Sequence, residues 1–154
     1  MSTAITDLKQ LVANYAHRVD RGTASEVAAL FAENAVLRPR YDGDYICEGR
    51  AEIERWYAFY HDNFRTSVRH LKHMIMSAEF DIQGDRASGC SYLLATAVSN
   101  ESNEGFYTTG TYTDSYVREE GAWRFAERII DVEWMTLTSN VTEQFPPLNF
   151  PAAD

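Results

Sequence analysis

The chain has 154 residues, of which 45% are hydrophobic and 24% charged, which fits one globular domain with a hydrophobic core. Its net charge of −9 argues against nucleic acid or an anionic membrane surface as partner, because both are polyanions. It has neither an apolar run near the roughly 18 residues of a spanning helix nor a signal-peptide pattern. Cys47 and Cys90 have no metal or redox spacing, so we expect a cytoplasmic protein with reduced cysteines.

Two helices are predicted at the start of the chain. Residues 3–19 form an amphipathic helix, because apolar side chains recur at helical spacing up to Val19. Asp20 follows this stripe directly, and Arg21-Gly22 ends the helix. The segment Thr23 to Glu26 has capping-box spacing and opens a short second helix.

A small hairpin and a third helix come next. Val36-Leu37 is a short strand that ends near Pro39, residues 41–44 are a turn, and residues 45–47 are the return strand. The third helix runs from about Arg50 to Phe64 and carries one broad aromatic face. Such a face is either core or the wall of a pocket.

Four long strands separated by tight turns are predicted in the second half, at residues 68–82, 87–98, 106–118 and 122–137. Helices first and a sheet afterwards indicate an α+β fold, with the helices packed on a curved, mainly antiparallel sheet. We expect one domain over residues 1–140. Residues 141–154 form a proline-rich tail that could cover the pocket as a lid.

The strand over residues 68–82 contains two histidines on opposite faces. Its even positions from Met74 to Ile82 are apolar, and side chains alternate between the two faces of a strand. His70 therefore shares the apolar face with Met74, as a base in an apolar pocket would. His73 falls on the other face and is predicted to be structural, unless a β-bulge reverses the alternation. His17 and His61 are expected to be solvated.

Several short motifs resemble those of SnoaL-like proteins, which belong to the nuclear-transport-factor-2-like superfamily. They are Val19-Asp20, the segment from Leu30 to Val36, His70 at a strand start, the segment from Gly110 to Asp114, and the segment from Gly121 to Phe125. The resemblance implies a cone-shaped, cystatin-like α+β fold that encloses an apolar pocket. The nearest likeness is to scytalone dehydratase and hexachlorocyclohexane dehydrochlorinase, which are lyases without a cofactor.

The resemblance also implies roles for individual residues. Asp20 and His70 fall at the positions of the paired aspartate and general base, and Arg128 matches an arginine five residues after the strand tryptophan, here Trp123. Tyr15 replaces the dehydrochlorinase lysine and resembles a tyrosine of bile-acid 7α-dehydratase. The second histidine of scytalone dehydratase is missing, because residues 93–95 are apolar.

These residues predict a lyase or isomerase that acts on a hydrophobic cyclic substrate. Asp20 would orient His70 as the base, Arg128 would stabilise an anion, and Tyr15 would donate or relay a proton. Asp131, on the face opposite Arg128, is a secondary candidate. No spacing indicates a metal, and no cofactor is expected. The residues predicted to bind the substrate are Trp56, Tyr57, Tyr60, Met74, Tyr112 and Phe150.

A second class of function stays open. The same fold serves as a non-catalytic ligand-binding or assembly subunit, such as the small subunit of ring-hydroxylating dioxygenases. We also expect a homodimer or homotrimer, because Leu71 and Ile75 lie on the odd-numbered face of the strand and need cover.

Overall fold

The computed structural model describes residues 3–43, 46–139 and 141. The helices are α1 (Ala4–Arg21), α2 (Ala24–Ala28) and α3 (Arg50–Asn63). The strands are β1 (Phe31–Pro39), β2 (Cys47–Glu48), β3 (Val68–Gln83), β4 (Arg86–Ser99), β5 (Gly105–Glu119) and β6 (Ala122–Thr138). Apart from Val141, the predicted lid, with Phe150, lies outside the described residues. Within them, no helix is both long and apolar enough to cross a membrane.

The sheet has the strand order β2-β1-β6-β5-β4-β3. Strands β1 and β6 are parallel, and the other neighbours are antiparallel. Helices followed by this curved sheet confirm the α+β prediction. Strand β1 is longer than predicted because it already begins at Phe31, whose fully buried ring anchors it in the core. The predicted hairpin turn starts instead with a 3₁₀ turn, Arg40–Asp42, and the described return strand has two residues.

Local hydrogen bonds define the ends of the first two helices. Thr23 and Glu26 form the predicted capping box, in which each side chain accepts from the other residue's backbone N–H. Helix α1 ends where the Gly22 N–H donates to the Arg18 carbonyl at 2.7 Å. The buried face of α1, including Leu8, Val12 and Tyr15, packs into the main core cluster. Asp20, in the last turn, is thereby carried to the sheet.

Two bulges interrupt β3 and change which side chains face the core. The pairing with β4 shifts between Arg69 and Lys72 and again between Met76 and Glu79. His70 and Ser77 lie at these shifts with φ of 57° and 52°, a left-handed conformation that is uncommon outside glycine. From Ala78 onward the predicted alternation is correct, because Ala78, Phe80 and Ile82 alternate with exposed residues.

Between the two bulges of β3 the alternation is reversed. Leu71, His73 and Ile75 are the more buried residues there, whereas Met74 and Met76 are 38% and 45% exposed. The predictions that His70 and Met74 share the apolar face are therefore wrong. The odd-numbered face, expected to need cover from a second subunit, is the face that packs toward the core.

Strand β6 also contains two register shifts. The first lies between Phe125 and Glu127, so Trp123 and Phe125 are buried together with Arg128. The second lies between Val132 and Trp134, opposite Gly110, where a Cβ would overlap the backbone oxygen of Asp131. Beyond it, Trp134 does not continue the buried face of Arg128 and Ile130 but is 53% exposed.

Candidate active site

A cavity of about 660 Å³ lies between α1, α3 and the concave face of the sheet. Its volume is in the range of small-molecule sites. Trp56, Tyr57, Tyr60 and Tyr112 line it, as predicted, whereas Met74 faces the opposite side of the sheet. Aliphatic side chains from β3, β4 and β6 complete most of the wall, including Leu71, Leu93, Ile130 and Val132.

Asp20 and His73 form a dyad at this cavity. Asp20 Oδ1 lies 2.6 Å from His73 Nδ1, and Asp20 Oδ2 accepts a hydrogen bond from the His73 backbone N–H at 3.1 Å. The side chains are only 9% and 10% exposed, respectively, and His73 is among the residues that line the cavity. A carboxylate on Nδ1 fixes the imidazole tautomer and leaves Nε2 as the nitrogen that can accept a proton.

Arg65 caps the end of α1 that contains Asp20, and no sequence motif indicates this contact. Arg65 follows α3, and its Nη1 donates to the Gly22 carbonyl at 2.6 Å and to the Val19 carbonyl at 3.3 Å. These bonds satisfy carbonyls at the end of α1 and bring a positive charge to the negative end of the helix dipole. Asp20 is thus tolerated at an otherwise unfavourable helix terminus.

The predicted pairing of Asp20 with His70 is wrong, and the bulge at His70 is the reason. His70 is exposed and lines a separate pocket of about 190 Å³ together with residues of β4, β5 and β6. His73, three residues later, bonds Asp20 and lines the cavity, which is the position that strict alternation of side chains predicts for His70. Among the other histidines, His61 is buried rather than solvated, at 7% exposure.

Arg128 is fully buried in an ion pair. Its Nε and Nη2 donate to the two carboxylate oxygens of Asp114 at 2.8 and 2.7 Å. Its guanidinium carbon lies 4.0, 4.3 and 4.1 Å from the ring centres of Tyr15, Tyr112 and Phe125. Arg128 is not among the described residues that line the cavity, and its Nη1 has no hydrogen-bond partner in the described part of the chain, so its contact with a leaving anion stays a prediction. Asp131 pairs instead with Arg40, at 3.3 Å.

Tyr15 and Tyr57 bring two hydroxyl groups together at the cavity wall. Their oxygens are 2.6 Å apart, and each residue is only 1% exposed. Burial raises the pKa of Tyr57, and the neighbouring Tyr15 raises it further. Burial likewise raises the pKa of Tyr112. Tyr57 and Tyr112 are therefore neutral phenols at ordinary pH and can donate hydrogen bonds.

A family model described as a SnoaL-like domain matches residues 1–129. The chain belongs to the SnoaL-like family. This confirms the resemblance on which the sequence interpretation relied. No curated protein matches the sequence.

Solved structures similar to this SnoaL-like domain share its fold at low sequence identity. A Novosphingobium aromaticivorans DSM 12444 protein assigned as a scytalone dehydratase has a TM-score of 0.75 at 19% identity, covering 96% of this chain and 95% of its own. Hexachlorocyclohexane dehydrochlorinase LinA-type3 from Novosphingobium barchaimii LL02 has a TM-score of 0.75 at 16% identity, covering 94% of this chain and 95% of its own.

A third solved structure also shares the fold. It is a Novosphingobium aromaticivorans protein assigned as an aromatic ring hydroxylase, with a TM-score of 0.72 at 23% identity, covering 89% of this SnoaL-like domain and 96% of its own chain.

The described part of the SnoaL-like domain has no group of three or more His, Cys, Asp or Glu residues that could hold a metal ion. The cavity wall is also free of Lys, Arg, Asp and Glu among the described residues. The cavity therefore combines one imidazole and several phenols with an apolar lining. Such a site suits acid–base chemistry on a neutral organic molecule.

Proposed function

We propose that this SnoaL-like domain is a cofactor-independent lyase or isomerase in which His73, oriented by Asp20, removes a proton from carbon. The observation that carries the proposal is the 2.6 Å bond between Asp20 Oδ1 and His73 Nδ1 beside an apolar cavity. An imidazole with one nitrogen tied to a carboxylate is arranged to act as a base through the other.

The proposed reaction begins at His73 Nε2, which takes a proton from a substrate carbon. The Asp20 carboxylate stabilises the imidazolium that forms, because an opposite charge within hydrogen-bonding distance favours the charged form. In one outcome the electron pair of the broken C–H bond forms a C=C bond and a neighbouring leaving group departs. In the other, the carbanion takes a proton at another carbon. The first outcome is elimination, and the second is isomerisation.

The charges around the cavity favour a neutral, hydrophobic, cyclic substrate. The described lining residues include no Lys or Arg that could pair with a carboxylate or phosphate. The residues outside the described ranges cannot supply one, because residues 1, 2, 44, 45, 140 and 142–154 contain neither Lys nor Arg. The rings of Trp56 and Tyr60 stack with their centres 5.5 Å apart and form an aromatic wall, which suits a substrate with a flat apolar ring.

The test compares histidine variants on the same strand. Wild type, His73→Ala and His70→Asn are incubated with a panel of cyclic β-hydroxy and β-halo ketones in D₂O, and NMR follows elimination and deuterium incorporation. We expect His73→Ala to lose about 10²–10⁴-fold in rate. His70→Asn should keep the wild-type rate, because asparagine tolerates the left-handed backbone at this position. A His73→Ala variant as fast as wild type would overturn the proposal.

The alternative is a non-catalytic assembly subunit, and the outer face of the sheet favours it. Met76, Tyr92 and Trp134 are 45%, 57% and 53% exposed there, and Met76 pairs directly with Tyr92 across β3 and β4. Such a surface suits a partner subunit. Co-expression with an iron–sulfur hydroxylase subunit tests this function, since a stable complex with no turnover by the isolated chain would support it over the lyase.

A further inference from the structure

A groove of about 430 Å³ lies between α1, the junction of α2 with β1, and the start of β6. Helix α1 borders both this groove and the cavity, but no described residue lines both of them. The groove is therefore a second concave site, separate from Asp20 and His73. Two of its lining residues are arginines, Arg18 from α1 and Arg124 from β6.

The two arginines are held close together. Arg18 Nη1 donates to the Glu26 carbonyl at 3.2 Å, and Arg124 Nη1 donates to the Ala29 carbonyl. These carbonyls are three residues apart, which is roughly 5 Å along a helical turn. Neither arginine forms an ion pair in the described part of the chain. Like charges this close repel each other, and an anion bound between them removes the repulsion.

Trp123 adds a further donor to the groove. It lines the groove and is 7% exposed, and its Nε1 has no hydrogen-bond partner among the described residues. A buried donor without an acceptor costs free energy, which an oxygen of a bound ligand would recover. The indole ring and the side chain of Leu11 also supply apolar surface beside the arginines.

The charges of the groove favour a ligand with one negative charge. Asp7 is the one carboxylate among the described lining residues, so the two positive charges and one negative charge leave a net charge of +1. Glu26 does not line the groove, and its carboxylate accepts from Thr23 in the capping box. A carboxylate ligand neutralises the net charge, whereas a phosphate, with nearly two negative charges at pH 7, exceeds it.

We infer that this groove is a second ligand-binding site, and that its ligand is a small organic carboxylate with a flat apolar body. The guanidinium groups of Arg18 and Arg124 bind the carboxylate oxygens, because their planar N–H groups match its geometry. The apolar body packs beside the Trp123 ring. The site is independent of the proposed function, since it uses neither Asp20 nor His73.

NMR signals of the indole N–H groups test the site. The chain has three tryptophans, so Trp56→Phe and Trp134→Phe identify two signals and leave the third to Trp123. We expect benzoate to shift the Trp123 signal in a saturable way. Benzyl alcohol has the same ring without the charge and should not shift it, and inorganic phosphate should bind more weakly than benzoate.

Substitutions of the arginines test their role in binding. Arg18→Gln and Arg124→Gln, made separately, each remove a charge but keep an N–H for the backbone carbonyl. We expect each to weaken benzoate binding about 10-fold, the effect of losing a hydrogen bond to a charged group. The matched control is Arg55→Gln, on α3 outside the groove, where the arginine side chain is 81% exposed. It should bind benzoate as wild type does.

Several results would overturn the inference. Benzoate that shifts the Trp56 signal but not the Trp123 signal occupies the cavity instead of the groove. A Trp123 shift that benzyl alcohol reproduces, or that neither arginine variant weakens, does not depend on the charges. Tighter binding of phosphate than of benzoate makes the carboxylate assignment wrong. The comparison of the three probes uses the wild-type chain, so it decides the question even if a substitution impairs folding.

Discussion

Asp20 holds His73 at two points, with one carboxylate oxygen on the imidazole Nδ1 and the other on the backbone N–H. The first bond selects the tautomer, and the second fixes the strand just after the bulge at His70. A single side chain at the end of α1 therefore sets both the chemistry of the base and the local course of β3.

The two bonds predict different effects for two substitutions of Asp20. In Asp20→Asn the amide oxygen can still accept from the backbone N–H, but the NH₂ group meets Nδ1 and favours the wrong imidazole tautomer. We expect exchange activity to fall at least about 10²-fold with little loss of stability. Asp20→Ala should also destabilise the fold by about 1–3 kcal/mol, because the buried N–H loses its acceptor.

Urea unfolding and NMR exchange assays on the two variants provide the check. Asp81→Ala, at an exposed position of the same strand, is the matched control and should change neither quantity. Equal stability of the Asn and Ala variants would contradict the role assigned to the backbone bond.

The sequence correctly places Asp20 at the end of α1 and next to a histidine of β3, but it indicates the wrong histidine, for a physical reason. A helix ends at local signals such as Arg21-Gly22, and these are visible in the residues themselves. A bulge depends on how a strand pairs with its neighbour, and His70 and Ser77 adopt left-handed conformations that nothing in their residue types demands. Likewise, the aromatic face of α3 predicts that Tyr57 lines a pocket, but not that its hydroxyl meets Tyr15 from another helix.

The buried pair of Arg128 and Asp114 should be strongly coupled. Both side chains have 0% exposure, so removing one partner leaves an uncompensated buried charge. We therefore expect Arg128→Met and Asp114→Leu each to lower the free energy of unfolding by about 3–5 kcal/mol. The double variant should cost clearly less than the sum. A double-mutant cycle by chemical denaturation measures the coupling, and additive losses would rule out a direct interaction.

His61 should make the fold sensitive to mild acid. Burial, and then the charge of Arg65, lowers its pKa from 6.5 to about 4. Because the folded pKa is below the unfolded one, this contribution to stability is complete above pH 6.5 and is lost as pH falls from 6.5 toward 4. His61→Phe should flatten this part of the stability curve, whereas His17→Gln, at an exposed position, should not. Parallel curves for wild type and His61→Phe would contradict the prediction.

Gly110 should be essential to the second bulge of β6. An added Cβ would overlap the Asp131 backbone, which cannot move without breaking the pairing of β5 and β6. We expect Gly110→Ala to cost about 1–3 kcal/mol.

Gly121 is the contrasting case for the Gly110 substitution. It has φ of 80° but open space around it, so Gly121→Asn should cost less, because asparagine accepts left-handed backbone. Thermal unfolding measures the loss of stability in both variants. A larger loss for Gly121→Asn than for Gly110→Ala would show that backbone conformation matters more than steric overlap at these two positions.

The exposed outer face of the sheet should govern the oligomeric state. We propose that a homodimer or homotrimer covers Met76, Tyr92 and Trp134, because together they expose an apolar surface that costs free energy in water. Tyr92→Lys would place a charge at its centre and should shift the chain to monomers in light scattering coupled to size exclusion. Phe59→Lys, at an exposed position on the cavity side, should not. Dissociation by Phe59→Lys alone would instead place the interface at the cavity mouth.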